Sequence, residues 1–141
     1  MQLAAAFRFC PRCGAAIAEP GRNPLRCVAC DFTYYFSPVT GVVCIIANAA
    51  GEILLFRRAR EPGQGLFGLP GGFVDPGESA HDAAIREVRE ETSLQVIGLT
   101  YLGSFPNQYE YHGVTIPVTD LIYACDVASF DPLCAHSEEI S

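Results

Sequence analysis

A chain of 141 residues, half of them hydrophobic and 18% charged, can bury one cored domain and carry a small appendage. Its net charge of −7 weighs against broad electrostatic binding to nucleic acid or anionic membrane. All nine basic residues are Arg, which excludes Schiff-base chemistry through lysine, and no apolar run approaches the roughly 18 residues of a membrane span. Residues 1–6 are short and lack basic residues, so they do not read as a signal peptide, and a cytoplasmic location is the expectation.

The first unit in chain order is residues 7–36. Cys10-Pro11-Arg12-Cys13-Gly14 and Cys27-Val28-Ala29-Cys30 are two C-x2-C pairs, 13 residues apart. Four thiolates so spaced suit one tetrahedral Zn²⁺. A disulfide pair or a redox C-x2-C is the rival reading, and a cytosolic chain disfavours the first. Phe7 and Phe9 before the cysteines, and Phe32, Tyr34, Tyr35 and Phe36 after them, read as short strands. The unit resembles a zinc ribbon. Its site is closed, so the zinc is expected to be structural and to supply folding free energy that some 30 residues cannot. Arg8, Arg12, Arg22 and Arg26 form a basic cluster that fits a docking surface or, as readily, a solvated rim.

After Ser37-Pro38, residues 39–49 are a continuous apolar run, expected as a buried strand. Asn48-Ala49-Ala50-Gly51 makes a turn, and residues 52–56 read as the returning strand of a hairpin. Arg57, Arg58 and Arg60 follow. Arg57 or Arg60 could reach a substrate phosphate, and a solvated strand end fits about as well. Residues 62–65 read as a loop, and Pro70-Gly71-Gly72 and Asp75-Pro76-Gly77 are turn signals.

Ser79 is a good N-cap with Asp82 three residues on, and the residues from Ala80 to Glu91 favour helix. On that helix Glu87, Glu90 and Glu91 share an arc of roughly 100°. Glu87 and Glu91 repel at i,i+4 unless a cation sits between them. Hard oxygen ligands clustered this way suit Mg²⁺ or Mn²⁺. Arg86, four before Glu90, can hold that carboxylate in place. The bare R-E-x-x-E-E string fits a solvated acidic face equally well.

The string does not stand alone. Gly72, Glu78, Arg86, Glu87, Val88, Glu90, Glu91 and Leu94 match G-x5-E-x7-R-E-U-x-E-E-x-G-U (U, a bulky apolar residue), and the stretch resembles the Nudix box. Ser93 stands where the family has Gly, a helix C-cap position that needs positive φ. The lead Gly65-Leu66-Phe67-Gly68-Leu69-Pro70-Gly71-Gly72 resembles the family's G-x-W-x-x-P-G-G, with Phe67 at the Trp position.

Residues 95–105 read as a strand, 106–113 as a loop or hairpin tip, and 114–127 as a second strand, part of which Pro117 demotes to an edge or bulge. Cys44 and Cys125 read as core residues. The end, Ser137-Glu138-Glu139-Ile140-Ser141, looks cut short, since Nudix domains continue past a similar segment into a closing helix. Glu138 or Glu139 is a candidate further ligand or base by resemblance, and a solvated tail fits slightly better.

The resemblance implies an α+β chain: a zinc ribbon over 1–37, then a Nudix-type mixed sheet in an α/β/α sandwich over 38–141, its last helix missing. It implies Mg²⁺-dependent (or Mn²⁺-dependent) hydrolysis of a nucleoside diphosphate linked to another moiety. Glu87 and Glu91 are then principal metal ligands, with the Gly72 carbonyl. Glu90 is the third ligand or base, Arg86 orients them, and Glu78 braces the loop. A ribbon before a Nudix domain resembles NADH, ADP-ribose and FAD pyrophosphatases. Residues 103–109, GSFPNQY, stand where the NADH group carries S-Q-P-W-P-F-P-x-S, which turns the expectation toward ADP-ribose-like or dinucleotide substrates. Tyr109, Tyr111 and Phe105 could stack on a base or pack in a core. The rival function is a nucleotide-sensing protein whose ribbon recruits a partner. An RNA-cap hydrolase is disfavoured for want of a basic track. Relatives imply a homodimer.

Overall fold

The computed structural model describes residues 1–59, 61 and 63–134. The element order is α1 (Leu3–Ala6), β1 (Leu25–Arg26), β2 (Thr33–Tyr34), β3 (Val39–Ile46), β4 (Phe56–Arg57), β5 (Phe67–Gly68), β6 (Gly71–Phe73), α2 (Ala80–Thr92), β7 (Val96–Tyr111) and β8 (Val114–Val127). No helix among the described residues is long and apolar enough to cross a membrane. The fold is α+β and divides into two compact units. One comprises Met1–Pro38 with Gln108–Val118; the other comprises Val39–Asn107 with the described residues from Thr119 onward.

The first unit contains the pair β1–β2 with Leu25 opposite Tyr34, and bridges between Phe9 and Ala16 and between Gln2 and Thr115. Its core is Cys10, Ile17, Leu25, Cys27 and Phe36. Two of those five are thiols, so hydrophobic burial alone gives this unit little stability. Asn23 imitates a strand partner: its amide donates to the Phe36 carbonyl at 2.8 Å and its side-chain oxygen accepts the Phe36 N–H at 2.9 Å. Phe36 in turn meets Phe7 and Tyr34 edge-on, each with ring centroids 5.0 Å apart. The chain's amino group donates to the Gly113 carbonyl at 2.7 Å, which ties the N-terminal arm to the tip of the β7–β8 hairpin.

The second unit is built on a four-stranded sheet of order β6-β3-β8-β7. Alternation along β3 sends Val42, Cys44 and Ile46 inward. They meet Ala83, Ala84 and Val88 of α2, then Leu94, and Tyr123 and Cys125 of β8. Both Cys44 and Cys125 therefore belong to the core. Ala83 and Ala84 have no exposed surface. Their small side chains let α2 lie close on the sheet, where it packs against β3 and β6.

The helix keeps its expected cap. The Ser79 hydroxyl accepts the Asp82 N–H at 3.1 Å and donates to the Asp82 carboxylate at 2.6 Å. At the other end Ser93 does what the family's Gly does: it takes φ 62 and donates its N–H to Arg89 at 3.0 Å. A side chain in this left-handed region costs about 1 kcal/mol. Ser93→Gly is therefore expected to raise Tm by about 3 °C in a thermal melt, the shift of about 1 kcal/mol for a chain of this size.

Two local expectations need correcting. The segment 106–113 is not a loop: β7 continues through Pro106 to Tyr111, and only His112-Gly113 turn, with φ 47 and 77. Both values are positive, as a two-residue type I′ turn requires. Proline is tolerated because β7 is the sheet's edge strand. Pro117 lies within the β8 strand expected over 114–127. The strand expected over 52–56 shrinks to a bridge between Ala47 and Ile53, and the regular pairing is instead β4 with β5. The segment 135–141, with Glu138 and Glu139, lies outside the described residues.

Candidate active site and zinc centre

The four-cysteine cluster is assembled from two tight knuckles. Gly14 N–H returns to the Cys10 carbonyl and Asp31 N–H to the Cys27 carbonyl, both at 2.9 Å, with Gly14 at φ 75 and Asp31 at φ 56. The sulfurs of Cys10, Cys13, Cys27 and Cys30 all lie within 4.8 Å of one another, with Cys10–Cys30 at 3.8 Å and Cys13–Cys27 at 3.7 Å. A tetrahedral Zn²⁺ with Zn–S bonds of about 2.3 Å sets its sulfurs about 3.8 Å apart, so the four thiols fit zinc. Their acidities are pulled apart. Burial pushes the Cys10 thiol up, but the backbone at Cys13 and Arg12 and the thiols of Cys27 and Cys13 outweigh it and bring it down to about 7. A hydrogen bond from the Phe32 backbone favours ionised Cys30, yet burial and the crowd of neighbouring thiols push it up to about 12. Such a cluster resists full ionisation by itself, and a dication removes that resistance.

The second site begins at β6. Gly71 and Gly72 pair with Val43 and Val42 of β3, and the Cys44 N–H donates to the Pro70 carbonyl at 2.8 Å. At Gly71 the backbone has φ 152, and a Cβ there would collide with the Val42 carbonyl oxygen. A Cβ on Gly72 would collide with the Glu87 carboxylate. Gly71 thus lets β6 close against β3, and Gly72 lets its backbone approach the acidic face of α2.

Arg86 is the hub of that face. Its guanidinium forks onto Glu78, with Nε at 3.2 Å and Nη2 at 2.6 Å, and Nη1 reaches Glu87 at 2.7 Å and Glu90 at 3.3 Å. Nη2 also donates to the Phe73 carbonyl at 3.0 Å. Glu78 Oε1 accepts the Asp75 N–H at 2.7 Å, which closes the turn before the helix. Glu91 shares the helix's apolar face with Val88, is 6% exposed, and accepts the Gly71 N–H at 2.9 Å. One guanidinium therefore serves Glu78, Glu87 and Glu90, and the cluster keeps excess negative charge.

The fork holds the Glu78 carboxyl below the usual carboxylate range, helped by the Asp75 backbone, and Glu78 in turn raises Arg86. A depressed carboxylate stabilises the fold above its unfolded pKa of about 4.3, and that stability is lost as pH falls through the lower folded value. The stability gap between the native chain and Glu78→Gln is therefore expected to be flat near neutrality and to close below about pH 4. Thermal melts of both proteins from pH 7 down to 3 test this, because acid loss of metal affects both alike.

The other expected site residues have these surroundings. Arg57 lies over the Phe67 ring, with Cζ 4.9 Å from the centroid. Tyr109 is near-parallel to Tyr111, with ring centroids 6.4 Å apart, in the first unit. Arg60 lies outside the described residues. Among the described residues, the four cysteines are the one set of three or more metal-ligating side chains whose ligand atoms converge within 4.8 Å. The Glu91–Gly71 and Arg86–Phe73 contacts span 20 and 13 residues and had no local signal in the sequence.

The NUDIX domain family matches residues 37–141. The NAD-capped RNA hydrolase NudC of Pseudomonas fluorescens strain Pf-5 is 39% identical over 98 residues, which cover 69% of this chain and 35% of that protein. The chain thus spans about a third of the length of the curated relatives it matches. A MutT NUDIX hydrolase from Burkholderia pseudomallei superposes with a TM-score of 0.64 at 26% identity, over 74% of this chain and 79% of that one. A NUDIX hydrolase from Nitrosomonas europaea reaches 0.67 over 94% of this chain and 73% of its own, at 23% identity, a likeness of fold.

Proposed function

Because the chain belongs to the Nudix family, we propose that it hydrolyses the pyrophosphate bond of a nucleoside diphosphate linked to another moiety, of the ADP-ribose, NADH or FAD class. The observation that carries this reading is the acidic cluster of α2, gathered on the Arg86 guanidinium and met by the Gly72 backbone at Glu87. Its donors are hard carboxylate oxygens, and its excess negative charge fits divalent cations. Glu87, Glu91 and Glu90 would hold Mg²⁺ or Mn²⁺, together with the Gly72 carbonyl. When bound, such cations neutralise diphosphate oxygens and lower the pKa of water.

The chain's own residues do the rest. Arg86 fixes the carboxylates of Glu87 and Glu90 in one orientation, so little reorganisation remains to be done during the reaction. Glu78 braces the loop by bonding both Arg86 and the Asp75 amide. Four carboxylates near one another would repel a diphosphate, so catalysis depends on the cations that screen them.

The reading includes a ribbon over 1–37, a hydrolase domain over 38–141, a homodimer and a cytoplasmic location. The relatives' NAD-capped RNA substrate is itself a dinucleotide diphosphate joined to RNA, which supports a dinucleotide. The net charge of −7 favours a small molecule over the polymer. The experiment is a panel of ADP-ribose, NADH, FAD, NAD-capped RNA and nucleoside triphosphates with Mg²⁺. Nucleoside monophosphate release from the diphosphate-linked members supports the reading. Tight binding with no product would favour a nucleotide sensor instead.

A further inference from the structure

β4 and β5 form a two-stranded ribbon with Phe56 opposite Gly68 and Arg57 opposite Phe67. The pleat sends these two pairs to opposite faces. One face is turned inward. Leu54, two residues before Phe56, packs against the main core, and a Cβ on Gly68 would lie 3.4 Å from Phe56 Cε2. Gly68 thus leaves room for the Phe56 ring. The other face carries Arg57 and Phe67, and Phe67 is 66% exposed. Such exposure gives the fold little burial in return. The guanidinium lies 4.9 Å from the ring centroid, within cation–π range.

We propose that Arg57 and Phe67 are a preformed stacking platform for the nucleobase of the substrate, a specificity element separate from the acidic cluster. The proposal rests on the nucleoside-diphosphate reading above. A flat exposed ring offers a π-face to any base, so the platform selects for the presence of a base more than for its identity. Arg57 adds positive charge beside the ring, suited to the phosphate next to the nucleoside. The chain supplies the spacing. Phe67 precedes Gly72 by five residues, at most about 18 Å of extended backbone, and the glycine step leads directly to the acidic face.

The test is calorimetric titration of the full chain and its Phe67→Ala and Phe67→Trp variants with ADP and, as a base-free probe, inorganic pyrophosphate. The melting temperature of each variant is checked first. Phe67→Ala should weaken ADP about tenfold, the usual scale of one base–aromatic stack, and leave pyrophosphate unchanged. Phe67→Trp should hold ADP at least as tightly as the native chain. The platform is overturned if Phe67→Ala binds ADP like the native chain, if it loses pyrophosphate equally, or if the native chain binds no ADP. Hydrolysis is scored separately: the expected binding pattern with no diphosphate cleavage would sink the hydrolytic reading and leave the platform standing.

Discussion

Glu91→Gln, and separately Glu87→Gln, is expected to lower kcat by about 10³-fold while changing Tm by no more than a few degrees. The reason lies in what each carboxylate touches. Glu91 accepts the Gly71 N–H, and Glu87 accepts from Arg86. A Gln side-chain oxygen still accepts both bonds, so helix and sheet stay joined. What disappears is the negative charge that draws a dication, and losing one preorganised electrostatic contribution costs on the order of 10²–10³ in rate. Buried Glu91 has the least water to compensate, so its variant should be at least as damaged as that of Glu87. Single-turnover rates beside thermal melts read the two effects apart. Near-native turnover in either variant contradicts the assignment of that residue.

Cys27→Ser should abolish zinc binding and unfold the first unit. Its core is five residues, two of which are Cys10 and Cys27 of the four-cysteine cluster. Structural zinc supplies apparent free energy on the order of 10 kcal/mol, more than such a core can offer. Metal analysis of the full chain is expected to fall from one zinc to none. In a heteronuclear NMR spectrum, amides of residues 7–36 should collapse to unfolded positions while those of α2 keep their dispersion. A Cys27→Ser chain with native signals across residues 7–36 would mean that the ribbon folds without its metal.

The acidic helix and the four-cysteine cluster were legible in the sequence for the same physical reason. Caps, turns and ligands there act over a few residues, and the order Ser79–Asp82, Arg86–Glu90 and Cys-x2-Cys carries the geometry. Pro106 misled because its neighbours lack a strand's alternation, and only the edge position of β7 makes a proline harmless. The His112-Gly113 turn was hidden inside a segment that read as a longer loop. Residues 52–56 keep only a bridge at Ile53, and the pairing of β4 with β5 was announced by no local pattern. Glu91's burial was also out of reach, since its partner, the Gly71 N–H, is brought in by β6 from 20 residues away. Ser93 is the instructive case. The departure from Gly predicted trouble at the helix end, and the chain pays with a left-handed serine.

The central claim is that α2 gathers dications through Glu87, Glu91 and Glu90 to break a diphosphate. Crystals of the full chain grown with Mn²⁺ and a non-hydrolysable ADP-ribose analogue test it directly through anomalous scattering. The account predicts manganese within about 2.2 Å of Glu87 and Glu91 oxygens, bridging to the diphosphate. A bound nucleotide with no manganese on those carboxylates would contradict it.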